Sequence, residues 1–172
     1  MEDTAPPTQD VSPPWKGELD AIVGARHGGQ VSAIATRLAA LDAHYPHVAE
    51  IAFQLAWTYE ILGRIEQAIP HYERALTLGL QPNEHASALI GLANCQRGSG
   101  MPERAVETLE AAKRQFPAYR EIELYLALSL QAAGRSADAV RSLIDLVLES
   151  SEDPGLAAHQ RALRYHAGKL QG

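Results

Sequence analysis

The stretch LAWTYEILGRIEQAIPHYERALTLGL (55–80) decides the fold, because the spacing of its small residues recurs downstream. Gly63 is followed five residues later by Ala68, and the same interval returns in GMPERA (100–105) and GRSADA (134–139). Seven residues before each glycine stands an alanine (Ala56, Ala93, Ala127) preceded by a leucine (Leu55, Leu92, Leu126). Seven residues after the second alanine stands Ala75, Ala112 or Leu146, with Tyr72, Leu109 or Leu143 three residues earlier. Two antiparallel helices approach closely where alanine replaces a bulky side chain, and glycine supplies the left-handed turn between them. The repeating unit is therefore a helical hairpin.

Gly100 and Gly134 are 34 residues apart, and Gly63 and Gly100 are 37 apart. The three extra residues fit a turn in GLQPNEH (79–85). A step of 34 residues back from Gly63 lands on Gly29, where a degenerate copy places Ile34 in the alanine slot and Leu38 and Leu41 in the later apolar slots. Caps and breakers predict paired helices at about 16–27 and 30–44, 48–62 and 65–78, 84–98 and 102–115, and 119–133 and 136–150. A ninth helix is predicted at about 154–169. Pro102 suits a first helical turn, Pro46 and Pro117 close their repeats, and Asp153-Pro154 reads as an N-cap followed by proline. Pro70 is the misfit, since a proline inside a helix costs up to about 3 kcal/mol unless the helix kinks or starts late.

The period, the Leu-Ala pairs, Tyr59, the Gly-to-Ala spacing, the Tyr72-to-Ala75 spacing and Pro117 together resemble the tetratricopeptide repeat over residues 15–153. The last helix is similar to that family's solvating helix. More narrowly, residues 55–80 and ALIGLANCQRGSGMPERAVETLEAAKRQFP (88–117) resemble the small bacterial proteins called tetratricopeptide repeat group 5. In that group a proline at the place of Pro70 and a Gly-Leu pair like Gly79-Leu80 belong to the pattern, so the resemblance implies that Pro70 is tolerated. The expected fold is an all-α, right-handed α-solenoid of about four hairpins plus a C-terminal capping helix. Its domain spans 15–172, with repeats at about 15–48, 49–85, 86–119 and 120–153 and the capping helix at 154–171. The first fourteen residues hold four prolines and read as an extended tail.

A chain of 172 residues with 46 % hydrophobic and 21 % charged residues reads as one soluble globular domain. The formal charge of -6, unbroken by any basic stripe, makes nucleic acid a poor partner, and no apolar run suits a bilayer. One cysteine, Cys95, and an acidic N-terminus without an apolar signal core point to the cytoplasm.

No enzyme constellation emerges. His44 and His47 flank Pro46, which interrupts the helix needed to converge both rings on one ion, so they read as surface histidines. His159 and His166 lie about 10 Å apart along a helix, too far for one ion. Cys95 reads as a buried small hydrophobe, and Ser99 within GSG sits between helices, outside the strand-to-helix setting of a nucleophile elbow. Gly98 and Gly100 follow no strand and make no phosphate loop. Glu103, Glu107 and Glu110 read as a solvated stripe near Arg104, Lys113 and Arg114. Residues 120–153 carry three basic and seven acidic groups, while 154–172 carry Arg161, Arg164 and Lys169 and none acidic, which reads as mutual surface neutralisation. No metal and no cofactor is expected.

The informative surface is the second face of each first helix. Ala52, Leu55, Ala56 and Tyr59 make a packed stripe, while Phe53, Trp57, Glu60 and Ile61 recur on a separate face. The equivalents are Leu19, Val23 and Arg26, then Ile90, Asn94 and Arg97, then Leu124, Leu128 and Gln131. The predicted partner groove is Phe53, Trp57, Glu60, Ile90, Asn94, Arg97, Leu124 and Leu128, with core filling as the competing role of Phe53 and Trp57. Families of this type that hold a partner's C-terminal carboxylate use a set of basic and amide residues across three helices. Only Asn94, Arg97 and the distant Arg26 fit, so that clamp is not expected. The expected function is non-catalytic binding of a protein or peptide in the groove, with self-association into a homodimer as the alternative.

Overall fold

In the computed structural model, which describes residues 12–27 and 30–171, the regular elements are all helical. They are α1 (Lys16–Gly24), continued by a 3-10 turn (Ala25–His27), α2 (Val31–His44), α3 (Ala49–Ile61), α4 (Ile65–Leu78), α5 (Pro82–Gly98), α6 (Pro102–Gln115), α7 (Glu121–Ala132), α8 (Ser136–Ser150) and α9 (Pro154–Gly168). Gly28 and Gly29, the turn of the degenerate copy, and residues 1–11 of the expected tail lie outside the described residues.

The helix ends follow local chemistry. Gly134 turns the chain at φ 76, in the left-handed region, between α7 and α8. Pro102 and Pro154 open α6 and α9, where a missing N–H is harmless, and Asp153 Oδ1 accepts from the Leu156 N–H at 2.9 Å. The late start that Pro70 suggested does not occur: α4 runs from Ile65 to Leu78 with Pro70 inside it. Pro70 and Glu66 are both exposed, so the carbonyl that loses its helical donor faces solvent and not the core.

The residues between Gly79 and His85 are not all turn. Gly79 ends α4 at φ 94, and α5 then starts at Pro82 and runs 17 residues against 13 for α3 and 12 for α7. The insertion thus becomes about one extra helical turn at the N-terminal end of α5, because Pro82 is well placed at the first helical position.

Consecutive helices pack as antiparallel hairpins. The first helices also approach across hairpins, α3 on α5 and α5 on α7, more closely than the second helices approach one another, so the first helices line the inner side of the curve. The alanines of the repeat occupy the crossings: Ala56, Ala68, Ala75, Ala93, Ala105 and Ala112 are fully buried. Three apolar clusters result. One joins α1, α2 and α3 around Ile22, Leu38 and Leu55, the next joins α3, α4 and α5 around Phe53, Tyr72 and Cys95, and the third joins α5 to α8 around Leu109, Ile122 and Leu130.

Leu143 departs from the packed slot that the repeat assigns to it. Its counterparts Tyr72 and Leu109 are buried, but Leu143 is 38 % exposed, because α9, which follows α8, covers only part of that face. Lys113, exposed beside the acidic stripe of α6, donates to Glu123 Oε2 of α7 at 2.7 Å. The acidic α8 and basic α9 do meet through Arg164, 3.2 Å from Asp145 and 4.0 Å from Glu149.

Candidate functional site

A cleft of about 520 Å³ opens on the inner side where α3, α5 and α7 face one another. Its aromatic wall starts on α3. Phe53 and Trp57, one turn apart, stack with ring centroids 6.4 Å apart and planes 17° apart. Their roles divide: Phe53 is 7 % exposed and forms the floor, where groove lining and core filling coincide, because Tyr72 packs over it at 6.2 Å. Trp57 is 42 % exposed and stands on the rim.

Tyr72 reaches this face from α4 because of Gly91. A Cβ at Gly91 would fall 2.4 Å from the Tyr72 Cζ and hydroxyl oxygen, so only glycine lets the ring pass. The hydroxyl then donates to Glu60 Oε2 at 2.5 Å. Burial pushes the Glu60 carboxyl above the usual carboxylate range, opposed by the hydrogen bonds it receives from Tyr72 and Asn94. Glu84, one turn into α5, is likewise pushed up by burial, with the Glu50 charge adding to it.

Arg26 completes the outer edge. Its guanidinium lies 4.3 Å from the Trp57 ring centroid, and its Nη2 donates to Thr58 Oγ1 at 3.0 Å. At the other edge Arg97 Nη2 donates to Asn94 Oδ1 at 3.3 Å.

Of the predicted groove residues, Phe53, Trp57, Glu60, Ile90 and Asn94 line the cleft together. Arg97 sits one turn beyond Asn94, outside the lining. Leu124 and Leu128 are also outside it, exposed by 49 % and 52 % on α7 as an apolar continuation of the wall made by Glu121 and Tyr125. Sequence reading missed Gln54, Tyr72, Glu84, Ser87, Gly91, Glu121 and Tyr125. Helical spacing held the signal for most of them: Glu84, Ser87 and Gly91 continue the Asn94 row backward once α5 begins at Pro82, and Glu121 and Tyr125 precede Leu128 at intervals of seven and three.

The other chemistry-bearing residues stay apart. His44 is exposed with Nδ1 against the Ala40 carbonyl at 2.9 Å, and Cys95 is buried, its thiol pushed up to about 12 by burial. Among the described residues no group of three or more His, Cys, Asp or Glu side chains is placed to hold a metal ion. No helix there is long and apolar enough to cross a membrane.

A family model described as Tetratrico peptide repeat matches residues 49–170. Among solved structures, the chain is similar to MamA residues 41 to the end from Desulfovibrio magneticus RS-1, at 17 % identity and TM-score 0.65, over 90 % of this chain and 89 % of that one. It is also similar to the nearly identical TPR-like repeats of a putative kinesin light chain from Podospora anserina, at 19 % identity and TM-score 0.63, over 89 % and 86 % of the two chains. At those identities the likeness is one of fold. No curated protein matches the chain.

Proposed function

Because the chain belongs to the tetratricopeptide repeat family, we propose that it is a protein-interaction module which holds an extended segment of another protein against α3, α5 and α7 and catalyses no reaction. The observation that carries this reading is the cleft itself. Its rim indole is left 42 % exposed above the buried Phe53 and Tyr72, and the exposed Leu124 and Leu128 extend the same surface. A segment laid there would lose apolar area against Trp57, Ile90, Leu124 and Leu128, while Asn94 and Arg97 would fix its direction through hydrogen bonds.

Capture from a cell lysate tests the reading with wild type beside a double variant, Trp57→Ala with Arg97→Ala. Wild type should retain proteins that the variant loses, while both unfold at nearly the same denaturant concentration, since groove contacts do not hold a solenoid together. Identical captured sets would sink the reading.

A second reading, self-association, is favoured by a different surface. Val140, Leu143, Ile144, Val147 and Leu148 of α8, with Leu156 and Leu163 of α9, line an apolar cleft of about 300 Å³, and Val140, Leu143 and Val147 remain exposed. A second copy closing this face would bury them. Light scattering after size exclusion separates the readings: a Val147→Glu variant would convert a dimer to a monomer, and a wild-type monomer would remove the second reading.

A further inference from the structure

We propose that the cleft receives a lysine or arginine side chain from a protein segment whose neighbouring residues are apolar. This deepens, and rests on, the reading of the cleft as a peptide groove.

Three carboxylates, Glu60, Glu84 and Glu121, line the cleft, and no lysine or arginine does. Among the described residues none of the three is in ion-pair distance of a cation, whereas carboxylates elsewhere in the array, such as Asp42 with Arg74 and Glu149 with Arg120, are paired. The cations around the cleft rest on other groups: Arg26 on Trp57 and Thr58, Arg97 on Asn94, each with its Nε unpartnered, and Lys16, whose charge reaches Glu84, on Glu50 and Asp20. Gln54 Oε1, also in the lining, is out of solvent contact and accepts no hydrogen bond. A primary ammonium or guanidinium supplies the positive charge that none of the three carboxylates has within ion-pair distance, together with N–H donors beyond the hydrogen bonds that Tyr72 and Asn94 give Glu60. The walls suit the rest of such a side chain, since Trp57 and Tyr125 offer aromatic surface to its methylene stem and attract its cationic head. Burial already disfavours the charged forms of Glu60 and Glu84, so a cation brought against them restores an interaction that water no longer supplies.

The surface beyond the cleft selects a protein segment over a free small cation. Ile61, Leu124 and Leu128 are half-exposed around it, an apolar strip that a small polyamine leaves uncovered and a peptide backbone with apolar neighbours covers. The chain's own first fourteen residues are excluded as occupant by charge, because they contain Glu2, Asp3 and Asp10 and no lysine or arginine.

Panning displayed random short peptides on wild type and on a Glu84→Gln, Glu121→Gln double variant tests the proposal. Both substitutions keep shape and sit outside the buried clusters, and circular dichroism checks that the variant is folded. The enriched peptide is then synthesised with and without its basic residue replaced by citrulline or norleucine, and binding is followed by Trp57 fluorescence in a Trp15→Phe background. Wild type should enrich peptides with lysine or arginine beside apolar residues, and either the neutral peptide or the double variant should bind about tenfold more weakly. If wild type enriches no peptide, the peptide-groove reading falls and the proposal with it. Enriched peptides without a basic residue, or binding indifferent to both changes, overturn the basic side chain alone and leave the groove standing. Spermidine that matches the peptide's affinity and displaces it would overturn the protein segment in favour of a small cation.

Discussion

Tyr72 on α4 and Glu60 on α3 meet across 2.5 Å on the inner face of the array, a bond between the second helix of one hairpin and the groove side of its first. The ring gets there by crossing Gly91 of the next hairpin, so three helices are fitted to a single missing side chain. Gly91→Ala should therefore destabilise the protein by about 1 to 3 kcal/mol through overpacking, outweighing the gain of about 1 kcal/mol in helix propensity. In a Tyr72→Leu background the same change should be neutral or stabilising, because the ring is gone. Chemical denaturation of the four proteins of this cycle gives the answer, and equal effects of Gly91→Ala in both backgrounds would refute the contact.

Gly134 isolates backbone strain from packing. Its φ is 76, and a Cβ built there meets nothing within 4 Å, so a substitution acts only through the left-handed conformation. Gly134→Val should cost about 1 to 3 kcal/mol, and Gly134→Asn much less, since asparagine enters that region more readily. Matching denaturation midpoints for the two variants would contradict this.

Ala93 is fully buried where α5 crosses α6 and α7, and Ala127 is 3 % exposed. Ala93→Leu should cost about 1 to 3 kcal/mol by overpacking, while Ala93→Gly should cost about 1 kcal/mol through helix propensity. A thermal melt of Ala93→Leu that coincides with wild type would mean that the crossing has room for a larger side chain.

The raised Glu60 carboxyl carries a pH signature. In the folded state its protonated form is favoured relative to the unfolded chain, so its contribution to stability is most favourable below the unfolded value and declines as pH rises through the folded one. Tyr72 and Asn94 remain as hydrogen-bond partners for an amide in its place. Glu60→Gln should therefore gain stability relative to wild type as pH is raised from about 4 to about 7, across the carboxylate range. Denaturant midpoints for both proteins along that series measure it; a constant difference at every pH would show that burial leaves this carboxyl unperturbed.

The repeat itself was readable because its signal is short-range and repeated. Ala56, Ala93 and Ala127 announce crossings by their size, and Gly63, Gly100 and Gly134 announce turns by their freedom, so helix ends follow within a few residues. The cleft was only half readable because its lining depends on where neighbouring helices stop. Glu84 and Ser87 join it through the extra turn of α5, which Pro82 begins, and nothing in 79–85 alone says whether an insertion coils or turns. Phe53 and Trp57 share a helical phase yet differ in burial, since Tyr72 arrives from another helix and covers only the first. Leu143 fills a core slot by its position in the repeat and lies half-open because α9 covers only part of its face. Periodicity reports a residue's direction; what stands opposite is a property of the whole array.

The thin burial at the C-terminal end sets an order of opening along the molecule. α9 buries Ala167 alone and α8 buries Ala137, Ala139 and Leu146, whereas α5 buries seven residues. In a linear array each hairpin is held by its neighbours, so helices with few buried residues, α9 with one and α1 with two, open more readily than α5 in the middle. The cleft is built on that middle. A segment clasped there adds its binding free energy to the most persistent part of the chain, and breathing at the far end proceeds without letting it go.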